Sequence, residues 1–243
     1  MSHTYSKQRP STIQKLFNAI APTYDRTNAI LSFQLHRLWN RQLIKRTFNP
    51  DDPGAFLDLC CGTGAIGLGH LSQTTTPTKA YLLDFSEGML SIAKQRASAL
   101  KLERHDIAYI QADAQQIPLP DASVKYATIA YGIRNVQSPK ACIEEAFRVL
   151  SPGGTFAILE LTQPSNPLLR FLHQIHLKYL LPLLGKLSTH NKEAYQYLSS
   201  SIKSFTPPKE LQLLLYGAGF KQIKITSLCG GIATILLGTK PQT

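Results

Sequence analysis

Apolar residues recur at helical spacing between Ile13 and Asn49, at Leu16, Ile20, Ile30, Leu31, Leu35, Leu38, Leu43 and Ile44, with Pro22 as the interruption. From Phe56 onward the pattern changes to short apolar runs separated by longer amphipathic stretches. Such alternation marks strands and helices wound around a parallel sheet, because a strand covered on both faces loses its polar alternation. The runs predict strands near 55–60, 80–83, 107–111, 126–131 and 155–161, with helices in the intervals. Ser151-Pro152-Gly153-Gly154 predicts a turn ahead of the fifth strand. Residues 164–188 read as a helix-rich insertion. A helix over 208–218, stopped by Gly219, and strands over 221–227 and 232–238 close the chain.

The expectation is an α/β protein with a Rossmann-like, seven-stranded, mostly parallel sheet and helices on both faces. A chain of 243 residues suits one domain. Its parts would be an N-terminal helical segment (11–49), a core (50–163), a helical insertion (164–207) and a final helix with two strands (208–243). A composition 43% hydrophobic and 17% charged, without Gly/Ser tracts or repeats, is that of a globular chain. The formal charge of +11 suits an anionic membrane face, nucleic acid, or merely a basic surface. Residues 1–10 are polar and no apolar run reaches 18 residues, which predicts a cytoplasmic protein that does not span a membrane. Four cysteines, with Cys60 and Cys61 adjacent, fit neither a disulfide framework nor separated zinc-ligand pairs, so no metal is expected.

Candidate chemistry clusters at the predicted carboxyl ends of the strands, where open α/β sheets bind ligands. The run Phe56-Leu57-Asp58-Leu59-Cys60-Cys61-Gly62-Thr63-Gly64 is an apolar strand entering a glycine-containing turn, where backbone can approach a ligand and a helix N-terminus can donate N–H groups. Asp84 ends the second strand, where a carboxylate either accepts bonds from two ribose hydroxyls or caps the next helix. Asp113, before Ala114 at the end of the third strand, either accepts from an adenine amine or holds a turn. Three such stations together read as one adenosine site.

With Arg148-Val149-Leu150-Ser151-Pro152-Gly153-Gly154, these residues resemble class I S-adenosylmethionine methyltransferases. The resemblance implies S-adenosylmethionine rather than NAD, contacted by Gly62, Thr63, Gly64, Asp84, Asp113, Ala114 and Ala130. Cys60 stands where glycine is usual in that class, and Ala65 where an acid is frequent. A more specific set is Phe17-Asn18-Ala19-Ile20-Ala21-Pro22-Thr23-Tyr24-Asp25, then Asn28, Leu31-Ser32-Phe33, His36-Arg37 and Trp39. With Gly132-Ile133-Arg134-Asn135-Val136 and Ala194-Tyr195-Gln196-Tyr197-Leu198 followed by Ser201-Ile202, it resembles the ubiquinone/menaquinone biosynthesis C-methyltransferase family from about residue 17 to 238.

That resemblance implies methylation of a polyprenyl hydroquinone ring carbon: demethylmenaquinol, or alternatively the 6-methoxy-benzoquinol precursor of ubiquinone. Arg134, Asn135 and Tyr24 become the catalytic candidates, with Arg134 facing the developing phenolate, and Asp25, His36 and Tyr131 the substrate-binding ones. Leu168, Leu169, Phe171, Leu172, Ile175, Leu177, Leu180, Leu181, Leu183 and Leu184, interspersed with Arg170, Lys178 and Lys186, suit either a peripheral membrane contact or a helical cap over the sheet. Nucleic acid is not an expected partner, because Ala130-Tyr131-Gly132-Ile133 replaces the Asn-Pro-Pro-Tyr type of motif and no Pro-Cys pair supplies a nucleophile. A non-catalytic scaffold would lack the substrate-side motifs. The sequence leaves the oligomeric state open.

Overall fold

The computed structural model describes residues 10–49, 51–180, 197, 200–202 and 205–242. The sheet grows around β1 (Phe56–Leu59), whose four residues are all buried. β1 pairs in parallel with β2 (Lys79–Asp84) on one side and β4 (Val124–Ala130) on the other. β3 (Asp106–Gln111) continues beyond β2, and β5 (Leu150–Leu161) beyond β4. β7 (Ala233–Thr239) runs antiparallel to both β5 and β6 (Lys221–Leu228). The order β3-β2-β1-β4-β5-β7-β6 is the expected seven-stranded, mostly parallel sheet. Its winding reverses between β1 and β4, which opens a crevice at the carboxyl ends of these strands.

Side-chain alternation assigns β1 to two cores. Leu57 and Leu59 pack with Ile143 and Ala146 of α6 (Pro139–Val149) and with Leu211 and Leu215 of α8 (Pro208–Gly217). Phe56 packs on the opposite face with Leu43 of α3 (Leu35–Thr47), Leu68 of α4 (Gly67–Leu71) and Leu90 of α5 (Glu87–Ala99). Each helix beside the crevice starts locally: Ser86 caps α5 by accepting the Met89 N–H at 3.2 Å, and Ser138 caps α6, with Pro139 at its first position.

The N-terminal segment divides into α1 (Pro10–Ile20), a 3-10 turn over Ala21–Thr23, α2 (Tyr24–Leu31) and α3. The break at Pro22 was expected; a second one, at Ser32 to Gln34, was not. Phe33 and Gln34 both adopt positive φ there, a conformation that neither residue type signals. The expected turn at Ser151 to Gly154 is instead a bulge inside β5. Leu150 pairs with Val124 and Thr155 with Tyr126, so four residues stand opposite Lys125 alone. Gly153 and Gly154 then exchange backbone hydrogen bonds with Lys240, each 2.9 Å, which explains why the ladder survives. Of the expected insertion, α7 (Pro167–Ile175) and a π-helical turn over His176–Leu180 are described. Leu181, Leu183, Leu184, Lys186, Ala194, Tyr195, Gln196 and Leu198 lie outside the described residues.

Close backbone approach fixes the crevice. A Cβ on Gly132, just past β4, would stand 2.4 Å from Cys60 Cβ, and Cys60 itself has φ +51°. Gly132→Ala is therefore expected to destabilise the chain by roughly 1–3 kcal/mol through overpacking. Because the obstruction is the Cys60 side chain, and glycine accepts positive φ without strain, adding Cys60→Gly should recover most of the loss. Denaturant midpoints of the two single variants and the double variant check this.

Candidate functional site

The segment after β1 turns sharply because Cys60, Gly62 and Gly64 all take positive φ. Gly64 also has no room for a side chain, since a Cβ would meet Leu68 Cδ1 at 2.8 Å, and this lets α4 sit directly on the turn. Two buried carboxylates hold the geometry. Asp84 accepts the Gly62 N–H at 2.8 Å through Oδ2 and the Ser86 N–H at 2.9 Å through Oδ1, joining the loops after β1 and β2. Asp58 accepts the Gly67 N–H at 2.9 Å and the Thr128 hydroxyl at 2.8 Å, joining β1, α4 and β4. Burial pushes Asp84 up to about 6 and Asp58 up to about 7, against the pull of these donors.

The N-terminal helices cover this edge. Gln14 donates to the Phe85 carbonyl at 2.6 Å, while Asn18 Oδ1 accepts from the Ser86 hydroxyl at 2.6 Å and the Gly88 N–H at 3.1 Å. Asp25 at the start of α2 accepts the Thr63 hydroxyl at 2.7 Å, and Arg96 Nη1 donates to Asp25 Oδ2 at 2.7 Å and to the Thr63 carbonyl at 3.1 Å. The Asp25–Arg96 pair is too exposed to add much stability; its effect is to hold α2 over the glycine turn.

Two cavities meet beneath these helices. A polar one of about 440 Å³ is walled by Gly62, Thr63, Asp25, Asp58, Arg37 and Arg41, among others, and reaches Ala130. An apolar one of about 320 Å³ is walled mainly by Leu31, Phe33, Trp39, Leu161, Leu172 and Leu177. Tyr24, Asn28, His36 and Tyr131 belong to both walls. Burial raises the Tyr24 phenol, opposed by Arg134 and a hydrogen bond with Asn28. Tyr131, at positive φ, is raised well above the usual range by burial, then by Glu160, and donates to Asn40 Oδ1 at 3.0 Å. Burial, then Arg37, lowers the His36 imidazole.

Arg134 enters the apolar cavity, backed by an ion pair with Glu160. Glu160 is fully buried on β5; it also accepts the Leu161 N–H at 2.8 Å and the Arg134 N–H at 3.3 Å. Burial works most strongly against the Arg134 charge, but Glu160, Tyr24 and Tyr197 together outweigh it, so the guanidinium stays protonated; among the described residues its Nε has no hydrogen-bond partner. Tyr24, Asp25, His36, Gly62, Thr63, Ala130, Tyr131 and Arg134 are thus brought together as expected. Gly64, Asp84, Asp113, Ala114 and Asn135 are not on either wall. Asp84 lies behind Gly62, Ala114 is core, and Asp113 accepts the Gln115 N–H at 2.9 Å and its side-chain amide. Asn135 accepts from the Tyr197 hydroxyl at 2.9 Å and donates to the Tyr131 carbonyl at 3.4 Å, so it sits behind Tyr131.

Sequence reasoning assigned no site role to Asn28, Arg37, Asn40, Arg41, Asp58 and Arg96 on the polar wall, to His173 and His176 on the apolar one, or to Glu160 behind Arg134. Two signals were present: single acids inside the apolar strands at Asp58 and Glu160, and polar residues at 36, 37, 40 and 41 sharing one face of α3. The mixture of Asp25 and Asp58 with Arg37, Arg41 and Arg96 suits the charged amino-acid end of a ligand carrying both signs. Asp84 and Asp113 stand at the next two strand ends, and each keeps carboxylate lone pairs beyond those already used.

The chain matches the family model described as the ubiE/COQ5 methyltransferase family over residues 3–240. It is 50% identical to a protein of Protochlamydia amoebophila named demethylmenaquinone methyltransferase, over 98% of each chain. It is 39% identical to a protein of that name from Chlamydia caviae, over 92% of this chain and 94% of that one. Another from Staphylococcus epidermidis is 33% identical, over 97% and 95%. Among solved structures, a SAM-dependent methyltransferase of Thermotoga maritima superposes with a TM-score of 0.65 at 20% identity, over 93% of this chain and 99% of that one. The [4+2]-cyclase SpnF superposes with a TM-score of 0.71 at 15% identity, over 98% of each. Likeness at these identities fixes the fold alone.

Asp58 makes stability depend on pH in a defined direction. Its folded pKa of about 7 exceeds the ordinary 3.8, so between these values the folded chain keeps a proton that the unfolded chain has released. Its contribution to stability therefore falls as pH rises from about 4 to about 7, then levels off. His70, pushed down to about 4 by burial, works in the opposite sense over part of that range. The difference in melting temperature between the wild type and Asp58→Asn isolates Asp58. The wild type is expected to lose stability relative to the variant between pH 5 and pH 7.5.

Proposed function

This chain belongs to the ubiE/COQ5 methyltransferase family, and on that premise we propose that it methylates a ring carbon of demethylmenaquinol, using S-adenosylmethionine, in menaquinone biosynthesis. The observation that carries this reading is the meeting of a polar and an apolar cavity at Tyr24, Asn28, His36 and Tyr131. A charged donor and an apolar acceptor can approach one another only where two such sites join. Three relatives sharing the name demethylmenaquinone methyltransferase over nearly their whole length support the substrate.

When bound, S-adenosylmethionine supplies an electrophilic sulfonium methyl. On the protein side, Thr63, Gly62 and the charged groups of the polar wall hold the amino-acid end. Asp84 accepts from the ribose hydroxyls and Asp113 from the adenine amine, with Gly64, Ala114 and Ala130 shaping the backbone around them. Within the apolar cavity, Tyr24, Tyr131 and His36 flank the quinol ring, and Asp25 keeps α2 closed over it. Arg134 presents a fixed positive charge to the oxygen that gains electron density as the ring carbon attacks. Glu160 keeps that guanidinium charged and aimed. Asn135 supports the Tyr131 backbone. The leucine-lined walls lower the local polarity, which strengthens the Arg134 interaction.

Anaerobic incubation with S-adenosylmethionine and short-chain demethylmenaquinol, followed by mass analysis, is expected to give a quinol carrying one more ring methyl. Arg134→Gln combined with Glu160→Gln removes both charges and leaves no unpaired buried ion. That double variant should fold and bind S-adenosylhomocysteine within about twofold of the wild type, yet turn over on the order of 10²-fold more slowly. Undiminished turnover in the folded double variant would remove Arg134 from the mechanism.

The same reading places the enzyme at a membrane surface. Leu168, Phe171 and Leu172 on α7, with Phe33 and Leu38, expose large apolar side chains, and Phe33 and Leu172 stand at the apolar cavity. Among the described residues no helix is long and apolar enough to cross a membrane. The polyprenyl tail leaves through this exposed rim into lipid, and the +11 charge favours an anionic face. Cosedimentation with anionic vesicles should be strong at low salt, weaken as salt rises, and weaken further in Leu168→Ser/Phe171→Ser.

A further inference from the structure

A ring that reacts at the junction of the two cavities must pass a hydroxyl proton to a lone pair on the shared wall. Tyr24 and Tyr131 are phenols that burial keeps protonated, and Asn28 carries an amide. Arg134 has no lone pair to offer. Asp25 lines the polar cavity but not the apolar one, and it is already paired with Thr63 and Arg96. His173 and His176 line the apolar cavity but not the polar one. His36 remains.

Its tautomer follows from a short hydrogen-bonded chain. The Ser32 hydroxyl has one proton and gives it to the Asn28 carbonyl at 2.6 Å, because a carbonyl can only accept. The 2.7 Å contact between Ser32 Oγ and His36 Nδ1 must therefore be donated by the imidazole. A neutral ring protonated on Nδ1 has its lone pair on Nε2, and among the described residues Nε2 has no hydrogen-bond partner.

We propose that His36 Nε2 is the general base of the reaction, accepting the hydroxyl proton of the quinol, with Ser32 and the Asn28 carbonyl fixing the tautomer. This rests on the methyl-transfer reading above. As the O–H proton moves to Nε2, the oxygen electron pair enters the ring and the ortho carbon takes the methyl. The sulfur keeps the electron pair of the broken bond. The product at this stage is a keto tautomer whose methylated carbon still bears hydrogen. Loss of that hydrogen to water as a proton, with return of the His36 proton to the oxygen, restores the aromatic quinol and releases one proton overall.

Burial, then Arg37, lowers the imidazole pKa from 6.5, while Asp25 raises it, so the base is neutral at pH 7. The charged and titratable groups around it are Arg37 and Arg41 from α3, Tyr24 and Asp25 from α2, Tyr131 and Arg134 after β4, and His173 and His176 from α7 and its extension.

The test has two independent readouts. In the ligand-free enzyme, imidazole ¹⁵N shifts, assigned with His36→Asn, should show Nδ1 protonated and Nε2 bare at pH 7, and Ser32→Ala should move the population toward Nε2–H. An Nε2–H tautomer in the wild type, or an imidazolium, would overturn the proposal. In His36→Asn the side-chain amide can still donate to Ser32 but offers no base. Its kcat should fall on the order of 10²-fold or more, with KM and S-adenosylhomocysteine affinity within about twofold. The acidic limb of its pH–rate profile, set below pH 6.5 in the wild type, should vanish. A folded His36→Asn enzyme that keeps this limb, or turns over within threefold of the wild type, would refute the assignment. Wild-type enzyme that transfers no methyl to the quinol would instead refute the substrate reading, while the tautomer measurement still stands or falls separately.

Discussion

Asp84 accepts one backbone N–H from the turn after β1 and another from the start of the loop after β2, and the rest of the site is built on this clamp. Gly62 can face the crevice only because its N–H is held from behind. With the first turn fixed, Thr63 presents its hydroxyl to Asp25, and α2 acquires a defined seat. That seat carries Tyr24 and Asn28 to the same wall as His36 and Tyr131. Charge-assisted bonds of this kind contribute about 1.5–3 kcal/mol each, so the clamp offsets part of the cost of burying the carboxylate.

The division of polarity across the shared wall follows from which loops supply each side. Loops after β1 and the face of α3 bring charge, whereas α7, its extension and the turn at Phe33 bring hydrocarbon. Among the described residues Arg134 is the one guanidinium on the apolar side, and Glu160 beneath it explains how a cation survives there. A buried pair of this kind seldom adds net stability, because desolvating both ions costs several kcal/mol. On the proposed reading, its presence in an otherwise apolar wall serves the chemistry and not the folding.

Much of this was legible in the sequence, and for identifiable reasons. β1, β2 and β4 announce themselves as short apolar runs because both faces of the sheet are covered. The glycine turn is legible because positive φ and close packing leave few other residue types. Asp84 was placed correctly at its strand end, yet its engagement with Gly62 and Ser86 depends on backbone donors that no residue type reports. Arg134 and Glu160 lie 26 residues apart and meet only through the parallel register of β4 and β5. The left-handed turn at Phe33 and Gln34, which sends α3 back across the crevice, has no glycine or proline to mark it. The bulge in β5 was read as a turn because Pro-Gly-Gly signals broken pairing without showing that the ladder resumes.

The central claim is that donor and acceptor occupy different cavities and meet at one wall. A crystal structure with both S-adenosylhomocysteine and a short-chain menaquinol tests it most directly. The account predicts the thioether sulfur on the polar side and the quinol ring on the apolar side, facing one another between Tyr24, Asn28, His36 and Tyr131, with a quinol oxygen near Arg134. Both molecules in a single cavity, or a sulfur directed away from that wall, would contradict it.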